Sequence, residues 1–171
     1  MKKNALPMMS FIESVTTCFK KYATFKGRAR RSEYWWFWIL PYVVSLGSSY
    51  LVKWKLDQRS EIESQIAGAL FDQDKQNELL AQAASVDSTF STWGIILIIL
   101  TLLLLLPSLA VLCRRLHDVG KSGWIILLNF IPVVNIVTII ITFIFTLMDS
   151  KPEPNKYGPS PKYGLAEPLE A

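Results

Sequence analysis

The residue types best able to do chemistry lie together in one short polar stretch, Arg114-Arg115-Leu116-His117-Asp118, with Lys121 close behind it. The stretch holds the only histidine of the chain, and uncharged runs long enough to cross a bilayer flank it on both sides. Ions avoid hydrocarbon unless water, lipid phosphate or a partner solvates them. Arginine forks match phosphate oxygens, and an aspartate can hold an arginine or a histidine in position. We therefore expect this polar corner, residues 113–124, to contact lipid phosphate or a partner protein.

Enzymatic chemistry is an alternative for the same residues. His117 could act as an acid or base on a lipid head group, with Asp118 as its orienter. Cys113 would share a helix face with His117, but two ligands do not close a zinc site, and nothing obvious beside them builds an oxyanion hole. Gly120-Lys121-Ser122 resembles the end of a phosphate-binding loop, yet the earlier glycine that such a loop requires is missing. The residues therefore predict no metal, no cofactor and no nucleotide, and they lean against an enzyme.

A second basic cluster, Arg28, Arg30 and Arg31, precedes the first apolar run. If both clusters lie at one membrane face, each basic residue adds about 1 kcal/mol of attraction to an anionic surface. For Arg114-Arg115-Leu116-His117-Asp118 the alternative is a stop-transfer cluster, which sets the topology and forms local salt bridges. The lipid- or partner-binding residues predicted in this way are Arg28, Arg30, Arg31, Arg114, Arg115, His117, Asp118 and Lys121.

Composition and charge place the chain among membrane proteins. Its 171 residues suggest one domain, 51% of them are hydrophobic, and the mean hydropathy is +0.29. The apolar residues come in blocks rather than in periodic stripes, which is typical of membrane spans. Residues 1–33 hold eight Lys or Arg against two acids, whereas residues 53–92 hold four against seven. Because the basic residues crowd next to apolar runs, we expect anionic lipid rather than nucleic acid as their counter-charge.

We predict an all-α, polytopic integral membrane protein in which residues 1–171 form a single membrane domain. Apolar residues at helical spacing, behind a capping box at Ser10 and Glu13, predict an amphipathic helix over 8–25 that lies in the membrane interface. The alternative is that this helix packs on the protein's own cytoplasmic face. The other segments are three transmembrane helices at 34–52, 93–112 and 124–148, an extracytoplasmic acidic loop at 53–92 and a proline-rich tail at 149–171. Within the acidic loop we predict two short helices with a break near residues 72–74.

Charge also predicts the orientation in the membrane. The positive-inside rule keeps the basic lead and the polar corner in the cytoplasm, and it puts the acidic loop outside. Three spans then place the C-terminus outside, with 124–148 forming one tilted or kinked helix. If residues 124–132 were re-entrant instead, the tail would return to the cytoplasm, which Asn129 and Pro132 within the run permit.

Three motifs follow one another along the chain. They are Phe25-Lys26-Gly27-Arg28-Ala29-Arg30-Arg31-Ser32-Glu33-Tyr34-Trp35-Trp36, then Arg114-Arg115-Leu116-His117-Asp118 with Gly120-Lys121-Ser122-Gly123-Trp124, and then Asn155-Lys156-Tyr157-Gly158-Pro159-Ser160-Pro161. Together they resemble the domain of unknown function 805 family, small bacterial inner-membrane proteins of the YhaH/YhaI type, from about Phe11 to Tyr163. The chain departs from the family at Lys156, usually arginine, at Ser160, usually aspartate, and in its longer 53–92 loop. The resemblance implies location in the bacterial inner (plasma) membrane and no established activity.

These observations predict a non-enzymatic module of the inner membrane, with its N-terminus in the cytoplasm. Its cytoplasmic-face basic clusters are expected to bind anionic lipid or a membrane partner, which includes a second copy of the chain. Two alternatives stay open: a lipid head-group enzyme that uses His117 and Asp118, and an oligomeric channel or transport component lined by the Asn and Thr residues of 124–148. No charged residue lies inside a predicted span, which argues against an ion-coupled transporter or a voltage sensor.

Overall fold

The computed structural model describes residues 5–69 and 71–163, and within those ranges it is helical. The only strand-like pairing in the described part of the chain is an isolated bridge between Asn155 and Gly158. The all-α prediction is therefore confirmed. Residues 164–171 of the predicted tail lie outside the described residues. The described residues form the helices α1 (Phe11–Lys20), α2 (Arg31–Gly68), α3 (Gln73–Asp118), α4 (Ile125–Leu128) and α5 (Val134–Leu147).

The chain divides into two compact units, which are described separately below. The corner unit comprises Met1–Leu40 and Leu104–Ala171, and the hairpin unit comprises Pro41–Leu103. Helices α2 and α3 each contribute to both units, and both are long and apolar enough to cross a membrane. The predicted spans 34–52 and 93–112 lie inside these two helices.

Helix α1 begins at the predicted capping box. The backbone N–H of Ser10 donates to the Glu13 carboxylate (2.9 Å), and the N–H of Glu13 donates to the Ser10 hydroxyl (3.3 Å). One face of α1 packs on the start of α2, where the rings of Phe11 and Trp36 lie 6.0 Å apart, edge to face. The opposite face is open, with Ile12 73% exposed. The helix is shorter than the predicted 8–25. Its contact with α2 is of the kind expected if the helix packs on the protein itself, and its position in the membrane interface stays a prediction.

The hairpin unit pairs the end of α2 with the start of α3. Ile62, Ala69 and Leu79 form its small buried core, and Lys55 and Arg59 both pair with Asp87 across the two helices. Two short helices with a break near 72–74 were expected. The break instead follows Gly68 and ends before Gln73, and both helices are extensions of α2 and α3 rather than separate elements.

The uncharged run 124–148 is not one helix, so the expectation of a single tilted or kinked helix is wrong. It forms the four-residue α4, a turn over 129–133 and then α5. Pro132 explains the break because it has no N–H to donate and disfavours helical geometry in the residue before it. Val133 then adopts a positive φ of 71°. The 14 residues of α5 are about 21 Å long at 1.5 Å per residue, which is less than the roughly 30 Å of a hydrocarbon core.

Both ends of this run return to the last turns of α3. At its start, Gly123 lies against Cys113, so closely that a Cβ on Gly123 would lie 2.2 Å from the Cys113 sulfur. At its end, the Arg115 guanidinium donates to the carbonyls of Met148 and Thr146. The segment therefore leaves and re-enters the same end of the corner unit.

Candidate functional site

Asp118, the last residue of α3, lies between two buried arginines. Its Oδ1 accepts from Arg28 Nε at 2.8 Å, and its Oδ2 accepts from Arg115 Nη1 at 2.5 Å. All three side chains are almost fully buried. Buried ions of this kind are tolerated only when their charges and hydrogen bonds are matched inside the protein. We call Arg28, Arg115 and Asp118 the arginine–aspartate network.

The remaining donors of Arg28 hold the C-terminal tail. Its Nη1 donates to the carbonyl of Glu153 (2.9 Å), and its Nη2 donates to the carbonyl of Lys151 (2.5 Å). Nη1 also reaches the Gly158 carbonyl at 3.3 Å. The carbonyls of Lys151 and Glu153 belong to a segment without helix or strand ladders, so the arginine fork supplies partners that secondary structure does not. The tail therefore docks on the same end of the unit as the polar corner.

A second buried pair joins α3 to the start of α2. Arg114 Nη1 donates to Glu33 Oε1 at 2.5 Å, and both side chains are at most 3% exposed. The Arg114 carbonyl accepts from the Ala29 N–H at 3.0 Å. Two further nitrogens of Arg114, Nε and Nη2, are buried without a hydrogen-bond partner. This pair fixes the basic lead against the polar corner.

The structure divides the predicted binding residues into two groups. Arg28, Arg114, Arg115, His117 and Asp118 are buried, and the arginines are taken up by internal carboxylates and carbonyls. Of their ion pairs only Arg115–Asp118 is local, as in the stop-transfer alternative, whereas Arg28–Asp118 and Arg114–Glu33 join residues 90 and 81 positions apart. The three that stay accessible are Arg30, which is half-buried, and Arg31 and Lys121, which are exposed. Lipid binding by any of the eight stays a prediction.

His117 is held by the backbone and by a tail residue rather than by Asp118. Its Nδ1 lies 3.1 Å from the Gly27 carbonyl, so this nitrogen carries the proton and donates. Its ring stacks on Tyr157 with centroids 3.7 Å apart. Both Asp118 oxygens are occupied by arginines. The expected orienting role of Asp118 is therefore wrong, because the Gly27 carbonyl performs it.

His117 Nε2 faces the Cys113 sulfur at 3.6 Å. The two groups line a mostly apolar cavity of about 610 Å³ together with residues such as Phe25, Trp124 and Tyr157. A head-group enzyme at this cavity stays a prediction.

A second cleft, of about 680 Å³, opens beside the first turns of α2. We call it the tryptophan cleft, since Trp35, Trp36 and Trp38 form much of its wall. Its polar lining comprises Arg30, Arg31, Ser32, Asp149, Ser150 and Lys162. The Lys162 ammonium, 2.5 Å from Asp149, holds the pKa of that carboxyl below its usual range. Arg30 donates to the carbonyls of Leu6 and Pro7, both at 2.8 Å, and so fixes the segment before α1 against this cleft.

Some of the polar residues predicted to line a channel are buried within the corner unit. Thr138, Thr142 and Thr146 are buried along one face of α5. The hydroxyls of Thr138 and Thr146 donate to backbone carbonyls of their own helix. The oligomeric channel stays a prediction. Across residues 5–69 and 71–163, no three His, Cys, Asp or Glu side chains come together in a group that could hold a metal ion.

Several site residues were not singled out from the sequence as contacts. Glu33, Gly27 and Tyr157 each contact a residue of the polar corner. All three lie within the motifs Phe25–Trp36 and Asn155–Pro161, so the signal that could have found them was the motif itself. The three motifs, far apart in the chain, meet in one unit.

Comparison with known proteins identifies a family and relatives of this chain. The family model described as "Protein of unknown function (DUF805)" matches residues 22–159, a range that includes the whole arginine–aspartate network. The inner membrane protein YhaH of Escherichia coli K12 is 32% identical over 143 residues, which cover 84% of this chain and 91% of YhaH. The inner membrane protein YhaI of the same strain is 28% identical over 149 residues, covering 85% of this chain and 92% of YhaI. No solved structure matches the chain.

The buried network generates a stability prediction for Asp118→Asn. The substitution keeps the side-chain shape but removes the charge that compensates Arg28 and Arg115. Loss of one partner from a buried pair costs about 3–5 kcal/mol. We expect a large fall in the Tm of the purified protein, measured by scanning fluorimetry in detergent.

The matched control is Asp87→Asn, which also removes a carboxylate that pairs with two cations. Its side chain is 41% exposed, and water replaces the lost partner at exposed sites. We expect little change in Tm. Equal effects of the two substitutions would contradict the structural role of the network.

Proposed function

This chain belongs to the DUF805 family, whose relatives YhaH and YhaI are inner membrane proteins, and we propose that it is a non-enzymatic membrane module that binds anionic lipid at its cytoplasmic face. The observation that carries the proposal is the excess positive charge that remains on the corner unit once its buried ion pairs are formed.

Internal pairing consumes few of the cations of the corner unit. Glu33 and Asp118 take up Arg114, Arg28 and Arg115. Nine other Lys and Arg then face only three other acids, Glu13, Asp149 and Glu153, among the described residues of the unit. The nine are Lys20, Lys21, Lys26, Arg30, Arg31, Lys121, Lys151, Lys156 and Lys162. At about 1 kcal/mol per basic residue near an anionic surface, such an excess attracts acidic lipid strongly.

The surroundings of this charge favour lipid over nucleic acid. Large apolar side chains of the corner unit are exposed along α3, α5 and the turn before α5, including Leu105, Phe130 and Ile136. Exposed apolar surface on this scale is typical of a face that contacts lipid. Trp35, Trp38 and Trp124 lie at the borders between apolar and charged segments, where indole rings favour the head-group region.

The proposed topology has two spans, α2 and α3, with α4 and α5 as a re-entrant hairpin. It is supported by the contacts of Gly123 and Met148 with the last turns of α3 and by the shortness of α5. Non-helical backbone at membrane depth is tolerated where protein covers it. Both the basic lead and the described tail, with Lys151, Lys156 and Lys162, then lie in the cytoplasm, in keeping with the positive-inside rule.

Reporter fusions test this topology. Green fluorescent protein fused after residue 171 should fluoresce, because it stays in the cytoplasm, and alkaline phosphatase inserted at residue 75 should be active in the periplasm. A matched pair of fusions at each site, one with each reporter, controls for expression. Active alkaline phosphatase at the C-terminal fusion would show that 124–148 crosses the membrane and would overturn the re-entrant hairpin.

Lipid-dependent stability tests the proposed function. In nanodiscs containing phosphatidylglycerol we expect a higher Tm than in nanodiscs of phosphatidylcholine with the same acyl chains. The difference should shrink as NaCl rises from 0.1 to 1 M, because the Debye length falls from about 10 Å to about 3 Å. The same Tm in both lipids at low salt would contradict the proposal.

A further inference from the structure

Two hydrogen-bond donors in the tryptophan cleft lack partners in the protein. The Arg31 guanidinium is exposed and makes no hydrogen bond to another described residue. The Ser150 hydroxyl is only 5% exposed and has no hydrogen-bond partner. A buried hydroxyl left unpaired costs free energy, so a ligand that accepts from it would be favoured there. Arginine and a hydroxyl are both good donors to phosphate oxygens.

The charge of the cleft favours an anion. Arg30, Arg31 and Lys162 line it together with a single acid, Asp149. Lys162 pairs with that acid and Arg31 also acts on it electrostatically, so three cations face one carboxylate and positive charge is in excess in the cleft. The Arg30 guanidinium is held by two carbonyls and keeps its charge at the cleft. Arg31 is therefore the cation that is both charged and free to form a fork around a phosphate group.

The rest of the wall is apolar and belongs to the start of a predicted membrane span. Trp35, Trp36, Trp38 and Ile39 face the cleft from the first turns of α2. Trp35 is anchored there by its indole N–H, which donates to the Thr146 carbonyl at 3.4 Å. An apolar wall that continues from a cationic rim matches an amphiphile whose head group is anionic and whose tail is hydrocarbon. The volume of about 680 Å³ falls within the range of ligand pockets.

We infer that the tryptophan cleft is a binding site for one anionic glycerophospholipid, with its phosphate on Arg31 and Ser150 and its upper acyl chain along the tryptophans. This inference rests on the proposed function and specifies where on the cationic face the lipid is held. The occupant is a lipid of the bilayer rather than a free phosphate, because the apolar wall has no role in binding an inorganic ion.

Native mass spectrometry of the delipidated protein tests the inference by titration with phosphatidylglycerol. Arg31→Ala should weaken binding about fivefold, which corresponds to about 1 kcal/mol for one basic residue at an anionic head group. Ser150→Ala should weaken it by a similar factor through the loss of one hydrogen bond. Arg31→Lys, which keeps the charge but not the fork, should fall between wild type and Arg31→Ala.

Lys75→Ala is the control, because Lys75 is an exposed cation that is not among the nine of the corner unit and does not line the tryptophan cleft. It should stay within about twofold of wild type, since it removes an exposed, salt-screened charge from outside the proposed cationic face. If Arg31→Ala and Ser150→Ala bind no worse than Lys75→Ala while wild type still prefers phosphatidylglycerol to phosphatidylcholine, the assignment to the cleft is wrong and the proposed function stands. If wild type shows no such preference, both fail.

Two further measurements decide the remaining cases. Inorganic phosphate at the same concentration as the lipid should not displace it, and efficient displacement would identify a free-anion site and overturn the assignment to lipid. Phosphatidylglycerol brominated on its acyl chains should quench wild-type tryptophan fluorescence more strongly than brominated phosphatidylcholine. Equal quenching would overturn the inference without recourse to any variant.

Discussion

The carboxylate of Asp118 lies between the guanidinium groups of Arg28 and Arg115, and all three side chains are almost completely removed from water. Burial of three ions is costly unless each is matched by charge and hydrogen bonds. The structure matches them with groups from three distant parts of the chain: the basic lead, the end of α3 and the tail. The same carboxylate therefore fixes which segments must meet, and the elements of the corner unit are arranged around that meeting.

The network also explains why the segment 124–148 ends beside the last turns of α3, where it began. Arg115 donates to the Met148 carbonyl at the end of the run, and Gly123 packs on Cys113 at its beginning. Between these anchors the run turns at 129–133, where Pro132 interrupts the helix. Once the buried arginines have been neutralised internally, the remaining cations have few acids beside them. Buried and accessible arginines are thus separate sets, although they alternate within a few residues of sequence.

The sequence predicts the class and many of the elements because those depend on local signals. Blocks of apolar residues predict the long helices, and the pair Ser10 and Glu13 predicts the start of α1. The position of charged residues between two apolar runs also identifies the polar corner as a candidate site. These signals act over a few residues, and the structure follows them.

What could not be predicted depends on contacts between residues far apart in the chain. Arg28 and Arg31 look alike in a basic stretch, yet Arg28 is buried against Asp118, ninety positions away, and Arg31 is exposed. The neighbouring Asp118 suggested an orienter for His117, whereas a backbone carbonyl at Gly27 fills that role. Backbone acceptors leave no trace in residue type, so only the fold reveals them. The length of 124–148 was likewise compatible with one helix or with a re-entrant turn.

Hydrogen–deuterium exchange in Arg28→Ala, followed by mass spectrometry, tests most directly whether the network holds these segments together. The account predicts that amides of the tail, including those of Asn155 and Gly158, lose protection together with Gly120 and Lys121 of the polar corner. Arg31→Ala, which removes an exposed arginine from the same stretch, should leave both regions protected. Unchanged protection of the tail in Arg28→Ala would contradict the account, because the tail would then be held without the buried arginine.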